Sequence, residues 1–318
     1  MKRVNGIFDR LLRFAKTPYY HWVSRRTSFL EYRKLVTLRF LPSLFLLPEN
    51  SLYGHRDVMR ACGIRAFGSR IEHGVCMSRT GEDLSHVFSM WKRRLFFLKR
   101  IYTFGDTRKA IIEEWAQRNR VSVVVKAIGP YVKHVRHFLD AAALRGLKAK
   151  LGRVLLVYPQ HNIKDVNYKY DSAAFMSKIG EMAKRYDTVL VSIYWLDVIN
   201  GLSSEYDAAG YTVVTAGFAT DPYFMRRQKD IISLADMVLT NSIGTHVGYA
   251  ISMQRPCRIF CQEFEKESEN GYERKMMGES EWVFPEFYAA FSREDGVITD
   301  EQRKLVSKWW GDSKEDVI

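Results

Sequence analysis

The sequence predicts an α/β protein made of two Rossmann-like, doubly wound domains that face a central cleft. Three observations predict it. Short apolar runs alternate with amphipathic stretches of helical period, joined by brief connections. The length of 318 residues exceeds one small core and suits two ordinary domains. Finally, 47% hydrophobic and 27% charged residues exclude disordered, collagenous and low-complexity classes.

In the first half, strands are expected over Ser69 to Val75, Arg100 to Phe104 and Val121 to Ile128. Helices are expected near 51–62, 107–118 and 131–147, with Ala141 to Gly152 bridging to the second domain. The second half is more regular. Arg153 to Tyr158 is an apolar run suited to a buried parallel strand and ends at Pro159. Residues 172–186 read as a helix, because Phe175, Met176, Ile179 and Met182 recur at spacings of three and four. Thr188 to Tyr194 is the next strand, followed by a helix over Asp197 to Ala209 that Gly210 closes. Tyr211 to Thr215, Met237 to Thr240 and Cys257 to Phe260 are three further strands. Helices over Pro222 to Leu234 and from Thr245 onward separate them. Thr299 to Trp310 reads as a capped helix that ends at Gly311. The domains divide as 1–148 and 149–318.

The net charge of +13 is unevenly divided. Residues 1–150 hold 30 Lys and Arg against 11 Asp and Glu, a balance of +19; residues 151–318 hold 19 against 25, a balance of −6. Such asymmetry points to an anionic partner for the first half. Ile7, Phe8, Leu11, Leu12 and Phe14 form an apolar stripe among basic side chains, and Lys92 to Arg100 repeats the theme. A basic amphipathic segment of this kind suits the headgroup region of an anionic leaflet, or an ordinary surface helix packed on its domain. Zinc-finger spacing, RNP-like motifs and a clear helix-turn-helix are missing, so nucleic acid is not the expected partner. No apolar run reaches the roughly 18 residues of a membrane span; Phe40 to Leu47 is broken by Pro42 and stops at Pro48. The start lacks an apolar signal core, and Cys62, Cys76, Cys257 and Cys261 lack paired CxxC spacing. The expectation is a cytoplasmic protein, peripheral on the inner face of the membrane.

In open parallel sheets ligands bind beyond the carboxyl ends of the strands, so the loops there carry the candidate chemistry. After the strand ending at Thr240 come Asn241, Ser242, Gly244, Thr245 and His246, running into a helix. Small residues at a helix start expose N–H groups that hold phosphate, or serve as plain N-caps through Asn241 or Ser242. His161 follows the strand ending at Tyr158, where it reaches a phosphate or a sugar hydroxyl, or is structural. Tyr194 sits at the same rim, to stack on a base or seal the core. Arg226 precedes the phosphate-like loop, as a diphosphate ligand or part of a solvated face. In the first half Glu72, His73 and Gly74 end a strand, and either side chain is a candidate general base, or the two form a packed pair. Gly129 and Pro130 form a turn suited to close ligand approach. HExxH, DxD and Cys/His clusters are absent, so no metal is expected, and the lack of G-x-S-x-G and G-x-G-x-x-G argues against hydrolases and dinucleotide oxidoreductases.

Together these pieces resemble the two-domain GT-B glycosyltransferases of bacterial capsule and lipopolysaccharide synthesis. Glu72-His73-Gly74 is similar to that family's Gln-His-Gly, with Glu in place of Gln. Ile128-Gly129-Pro130 resembles its Ile-Gly-small/Pro turn, and Pro159-Gln160-His161-Asn162 its Pro-Ser-His-Ser-like loop. Asp236 to Thr245 matches its Asp-x-Val-x-Thr-Asn-x-x-Gly-Thr segment. The resemblance implies a nucleotide-sugar donor on the Ser242–Thr245 loop and no cofactor beyond that co-substrate. It implies a saccharide or lipid-linked acceptor on the first domain, and Glu72 or His73 as base. A polyol-phosphate transferase of teichoic-acid type and a non-catalytic membrane-associated assembly protein of the same fold are the alternatives.

Overall fold

The computed structural model describes residues 15–41, 48–75, 77, 80–85, 98–163, 166–268 and 284–312. The stripe from Ile7 to Phe14, the segment 92–97 and Cys76 lie outside the described residues.

The described residues open with helix α1 over 15–24 and the short helix α2 (Tyr32–Leu35). The first domain then sets α3 (His55–Ala61) beside a parallel sheet of β1 (Ser69–Ile71), β2 (Arg100–Thr103) and β3 (Val124–Ala127), with α4 (Asp106–Arg118) between the last two. All three strands were expected, and each is shorter than its apolar run. The edge of β1 is sealed by a side chain: buried Asn50 donates Nδ2–H to Ser69 O and accepts Ile71 N–H on Oδ1. An amide thus stands in for a missing neighbour strand.

The helix expected over 131–147 is two, α5 (Tyr131–His134) and α6 (Ala141–Leu151). Polar groups of a later helix hold the break between them. Lys229 donates to Val135 O at 2.6 Å, and buried Asp230 accepts from His137 Nδ1, Phe138 N and Leu139 N. Those bonds satisfy backbone groups that a continuous helix would have satisfied internally. Asp140 then caps α6 by accepting Ala143 N–H.

The second domain carries β4 (Val154–Tyr158), β5 (Val166–Lys169), α7 (Ser172–Ala183), β6 (Thr188–Ser192), α8 (Trp195–Ile199), α9 (Ser203–Ala208), β7 (Thr212–Val214), α10 (Phe224–Leu234), β8 (Met237–Thr240), α11 (Thr245–Ser252), β9 (Cys257–Ile259) and β10 (Glu265–Ser268). Five of the strands form one parallel sheet in the order β7-β6-β4-β8-β9. The apolar runs are continuous because both faces are covered: Val154 and Leu156 join one core, Leu155 and Val157 the other. Asp171 caps α7 by accepting Ala174 N–H, and Phe175, Ile179 and Met182 face inward. The helix expected over Asp197 to Ala209 is split into α8 and α9 at Gly201, which takes φ +84°. The antiparallel pair β5–β10 was not foreseen; its polar, short strands carry no apolar run to announce it.

The first and last described segments reach between the domains. The segment after α1 packs on the second domain: Arg227, fully buried, bridges Asp221 and Ser24, and Thr215 N–H donates to Phe29 O. After α12 (Pro285–Ala290), the last helix α13 (Asp300–Trp310) starts in a Thr299/Gln302 capping box as expected. It lies against α11 and also against α4 of the first domain. Gly129 lies at this junction. A Cβ on Gly105 would meet Gly311 N at 2.7 Å, and one on Gly311 would lie 3.4 Å from Gly129 Cα. No helix among the described residues is long and apolar enough to cross a membrane.

Trp310, wholly buried, lies on Gly248, where a Cβ would stand 2.2 Å from the indole Cγ. Gly248→Ala is therefore expected to destabilise the protein by about 1–3 kcal/mol through overpacking. Urea unfolding measures this; an unchanged midpoint would contradict the packing.

Candidate functional site

The order β7-β6-β4-β8-β9 runs outward from β4 in both directions, so the sheet changes winding direction between β4 and β8. At such a switch point the loops after adjacent strands part and leave a crevice at their carboxyl ends. In-register pairing of Val157 with Leu239 and Tyr158 with Thr240 delivers both loops, Pro159–Asn162 and Asn241–Gly244, to that place.

Asn241 is wholly buried and ties the two loops together. Its Oδ1 accepts Gln160 N–H at 2.7 Å and its Nδ2 donates to Gln262 at 3.0 Å. It does not cap α11. Ser242 is also buried, with its N–H on Thr240 Oγ1. The N-cap of α11 is Gly244 in extended conformation, and no side chain caps the helix. Plain N-capping by Asn241 or Ser242 is thereby replaced by a start at which Val247 N–H donates to Gly244 O at 3.0 Å and the N–H groups of Thr245 and His246 are left for another acceptor. Gly244 leaves room for His246, which folds back over it: a Cβ there would lie 2.7 Å from the imidazole Cε1. The His246 ring stacks on Tyr158 at 4.7 Å, with Nε2 against Thr240 Oγ1 at 2.9 Å.

Across the crevice the first domain presents Tyr53, His73 and Gly74. His73 is solvent-accessible, and the Tyr53 ring lies parallel to it at 5.7 Å. Tyr53 and Tyr194 share a hydroxyl–hydroxyl hydrogen bond of 2.8 Å, and the Tyr194 ring contacts His161 at 4.6 Å. A row of rings thus runs from His73 in one domain to His161 in the other. Val75 N–H donates to Thr245 Oγ1 at 3.2 Å, close beside Gly74. The structure therefore brings His73, Gly74, His161, Tyr194, Thr245 and His246 to one seam.

Glu72 is buried. Its carboxylate is buried against Arg108, which also pairs with Asp83, and it accepts Thr103 Oγ1–H at 2.6 Å. With both oxygens held by a fully buried guanidinium, Glu72 fixes the end of β1; His73 is left as the side chain open to the cleft. Arg226 pairs through its Nε with Asp57 of the first domain and so ties the two domains together. Tyr53 was missed by sequence reading. Its signal was the Tyr53-Gly54 pair before α3, both with positive φ. Gly54 is needed because a Cβ would meet Met225 N at 2.9 Å.

The electrostatics of the seam follow from enclosure. The protein atoms crowded around the His73 imidazole lower its pKa even though the residue remains exposed, and the nearby charge of Arg70 lowers it further. Burial, then the proximity of His73, takes His161 down to about 4. Burial and His161 take His246 down to about 3, and burial does the same to His55. These imidazoles are neutral at neutral pH, so each offers one bare nitrogen and one N–H. Asp197 moves the other way, up to about 6, because burial outweighs the two hydrogen bonds it accepts from Asn162. Among the described residues no three His, Cys, Asp or Glu side chains converge as a metal-ligand set.

Two parallel α/β units whose strand ends face one seam, with the first and last described segments reaching between them, define a GT-B-like architecture. No protein-family model and no curated protein sequence matches the chain. Among solved structures it is similar to the wall teichoic acid polymerase TagF, with TM-score 0.41 and 12% identity over 72% of this chain and 58% of that one. The UDP-GlcNAc 2-epimerase from Neisseria meningitidis gives 0.33 and 11% over 80% and 88%. S. aureus MnaA, determined with UDP, gives 0.38 and 9% over 89% and 80%. The chain thus spans 58% of the length of the TagF chain it resembles.

Two outcomes follow from this geometry. Glu72→Ala strands Arg108 in the interior beside Asp83 alone, and is expected to cost about 3–5 kcal/mol in denaturant unfolding. A loss of activity without a loss of stability would instead make Glu72 catalytic. The second concerns pH. His161, His246 and His55 have folded pKa values below their ordinary 6.5, so the unfolded chain binds more protons below that value. Stability is expected to be fully present above about pH 6.5 and to fall toward pH 4, by up to about 1.4 kcal/mol per pH unit per histidine. Asp197, raised to about 6, opposes this with the reverse sign. Unfolding midpoints across that range measure the slope, and His161→Gln should flatten it.

Proposed function

We propose that the protein is a glycosyltransferase that moves a sugar from a nucleotide-activated donor to a saccharide or lipid-linked acceptor in bacterial surface polysaccharide synthesis. The observation that carries this reading is the uncapped start of α11 at the switch point between β4 and β8, facing His73 across the seam. A helix start with free N–H groups and no acidic neighbour suits a diphosphate, whose negative charge meets the positive end of the helix dipole.

In this reading the donor's diphosphate lies on Thr245, His246 and the first turn of α11, replacing the bond that Val75 N–H now makes to Thr245 Oγ1. His161 and Tyr194 line the neighbouring wall for the sugar or the nucleoside. His73, neutral and accessible, takes the proton from the acceptor hydroxyl as its oxygen forms a bond to the anomeric carbon. The bond from that carbon to the diphosphate oxygen breaks, and the electron pair leaves with the nucleotide. The N–H groups of α11 balance the charge that develops there, so the reading requires no metal. The donor is a co-substrate, and no further cofactor is called for.

The test is a thermal-shift screen against CMP-, UDP-, GDP- and dTDP-linked compounds in EDTA, followed by turnover with the donor that binds. A ligand at a hundred times its Kd should add about 2.7 kcal/mol of stability. Thr245→Ala is expected to weaken the shift. His73→Ala should retain the shift and lose transfer by about 100-fold or more. A donor that binds without EDTA only, or transfer undiminished in His73→Ala, would contradict the reading.

A further inference from the structure

We propose that the outward face of α1 is a docking surface for an anionic lipid bilayer. This goes beyond the chemistry of the cleft and does not depend on it.

Tyr19 and Trp22 are 61% and 57% exposed, and they sit one helical turn apart with rings stacked at 6.4 Å and 21°. Two large aromatics adjacent on one exposed face lose area to water that folding has not recovered. Around them stand Lys16, Arg25 and Arg26, all exposed. Arg26 lies over the Trp22 ring, its Cζ 4.7 Å from the centroid, and donates to Trp22 O. Arg33, Lys34 and Arg39 follow on the same segment; over residues 15–41 the only acidic side chain is Glu31. Arg33 and Lys34 are paired with Asp207 and Glu31. Lys16, Arg25 and Arg39 have no ion pair among the described residues.

The other face of α1 is anchored. Val23 packs with Leu35, Leu38 and Phe40, and Ser24 donates to Asp221 while accepting from buried Arg227. The aromatic pair is therefore presented on a fixed support rather than tucked into the fold.

Tyr and Trp with arginines alongside are the composition of a membrane interface, where an amphipathic ring sits at headgroup depth and basic groups meet lipid phosphate. Charge complementarity selects an anionic bilayer over a neutral one. A nucleic acid shares the charge preference, but would have to separate the stacked pair to use the rings as base platforms.

The experiment is co-sedimentation of the full chain with vesicles of phosphatidylcholine alone and of phosphatidylcholine with phosphatidylglycerol in equal parts. Single-stranded RNA is the competitor. Wild type is expected to bind the anionic vesicles and not the neutral ones. Arg25→Gln with Arg26→Gln should weaken binding about 30-fold, and Tyr19→Ala with Trp22→Ala by about tenfold. All four positions are exposed, so thermal midpoints and the nucleotide-induced shift should stay as in wild type. That separates a failure here from a failure of the cleft. Equal binding to both vesicles, undiminished binding by both double variants, no binding at all, or displacement from vesicles by RNA would each overturn the proposal.

Discussion

The parallel pairing of β4 with β8 is the constraint on which the site depends. Its register sets Tyr158 beside Thr240, so the loops that follow begin side by side at the point where the sheet reverses its winding. Asn241 then welds them, one amide serving Gln160 on one side and Gln262 on the other. Everything else at the seam is built on that weld: the extended Gly244, the uncapped α11, and His246 folded back onto Tyr158. A helix start can be left bare only where its surroundings are fixed, because an unsatisfied N–H is otherwise costly.

The first domain meets this platform with equally fixed chemistry. Arg108 lies between Glu72 and Asp83 with no exposure of its own. Such a buried triad contributes little net stability against an apolar equivalent, yet each partner is indispensable once the others are buried. Its consequence is positional: it holds the end of β1, and His73 projects from the next residue. The two domains are latched by Arg226 with Asp57, by the Tyr53–Tyr194 hydroxyl pair and by Val75 with Thr245. The last of these uses the hydroxyl assigned to the donor in the proposed function, so in that reading ligand entry and domain contact compete for Thr245.

Much of the fold was legible because a buried parallel strand advertises itself. Val154–Tyr158 and Met237–Thr240 are continuous apolar runs, and the Thr299 capping box marks α13. What could not be read was decided by distant partners. Nothing between 131 and 147 shows that Asp230 and Lys229 will capture the backbone at 135–139 and break the helix. The site was half legible for the same reason. His73, His161, Tyr194, Gly244, Thr245 and His246 were found from strand ends and small residues, and they converge. Glu72, Asn241 and Arg226 carry the same local signals, and nothing local shows that Arg108, Gln160 and Asp57 bond to them. Gly129 also lies close to Gly311 just after α13, a contact with a residue far along the sequence that the Ile-Gly-Pro turn does not announce.

The central claim, that a nucleotide diphosphate sits at the seam on the start of α11, is most directly tested by backbone hydrogen exchange. Exchange would be followed with and without the nucleotide-linked sugar that binds. The account predicts that protection rises at Thr245 and His246 and in the Pro159–Asn162 loop, and that Val75 loses protection as its partner is taken. Protection confined to other strand ends, with Thr245 and His246 unchanged, would contradict it.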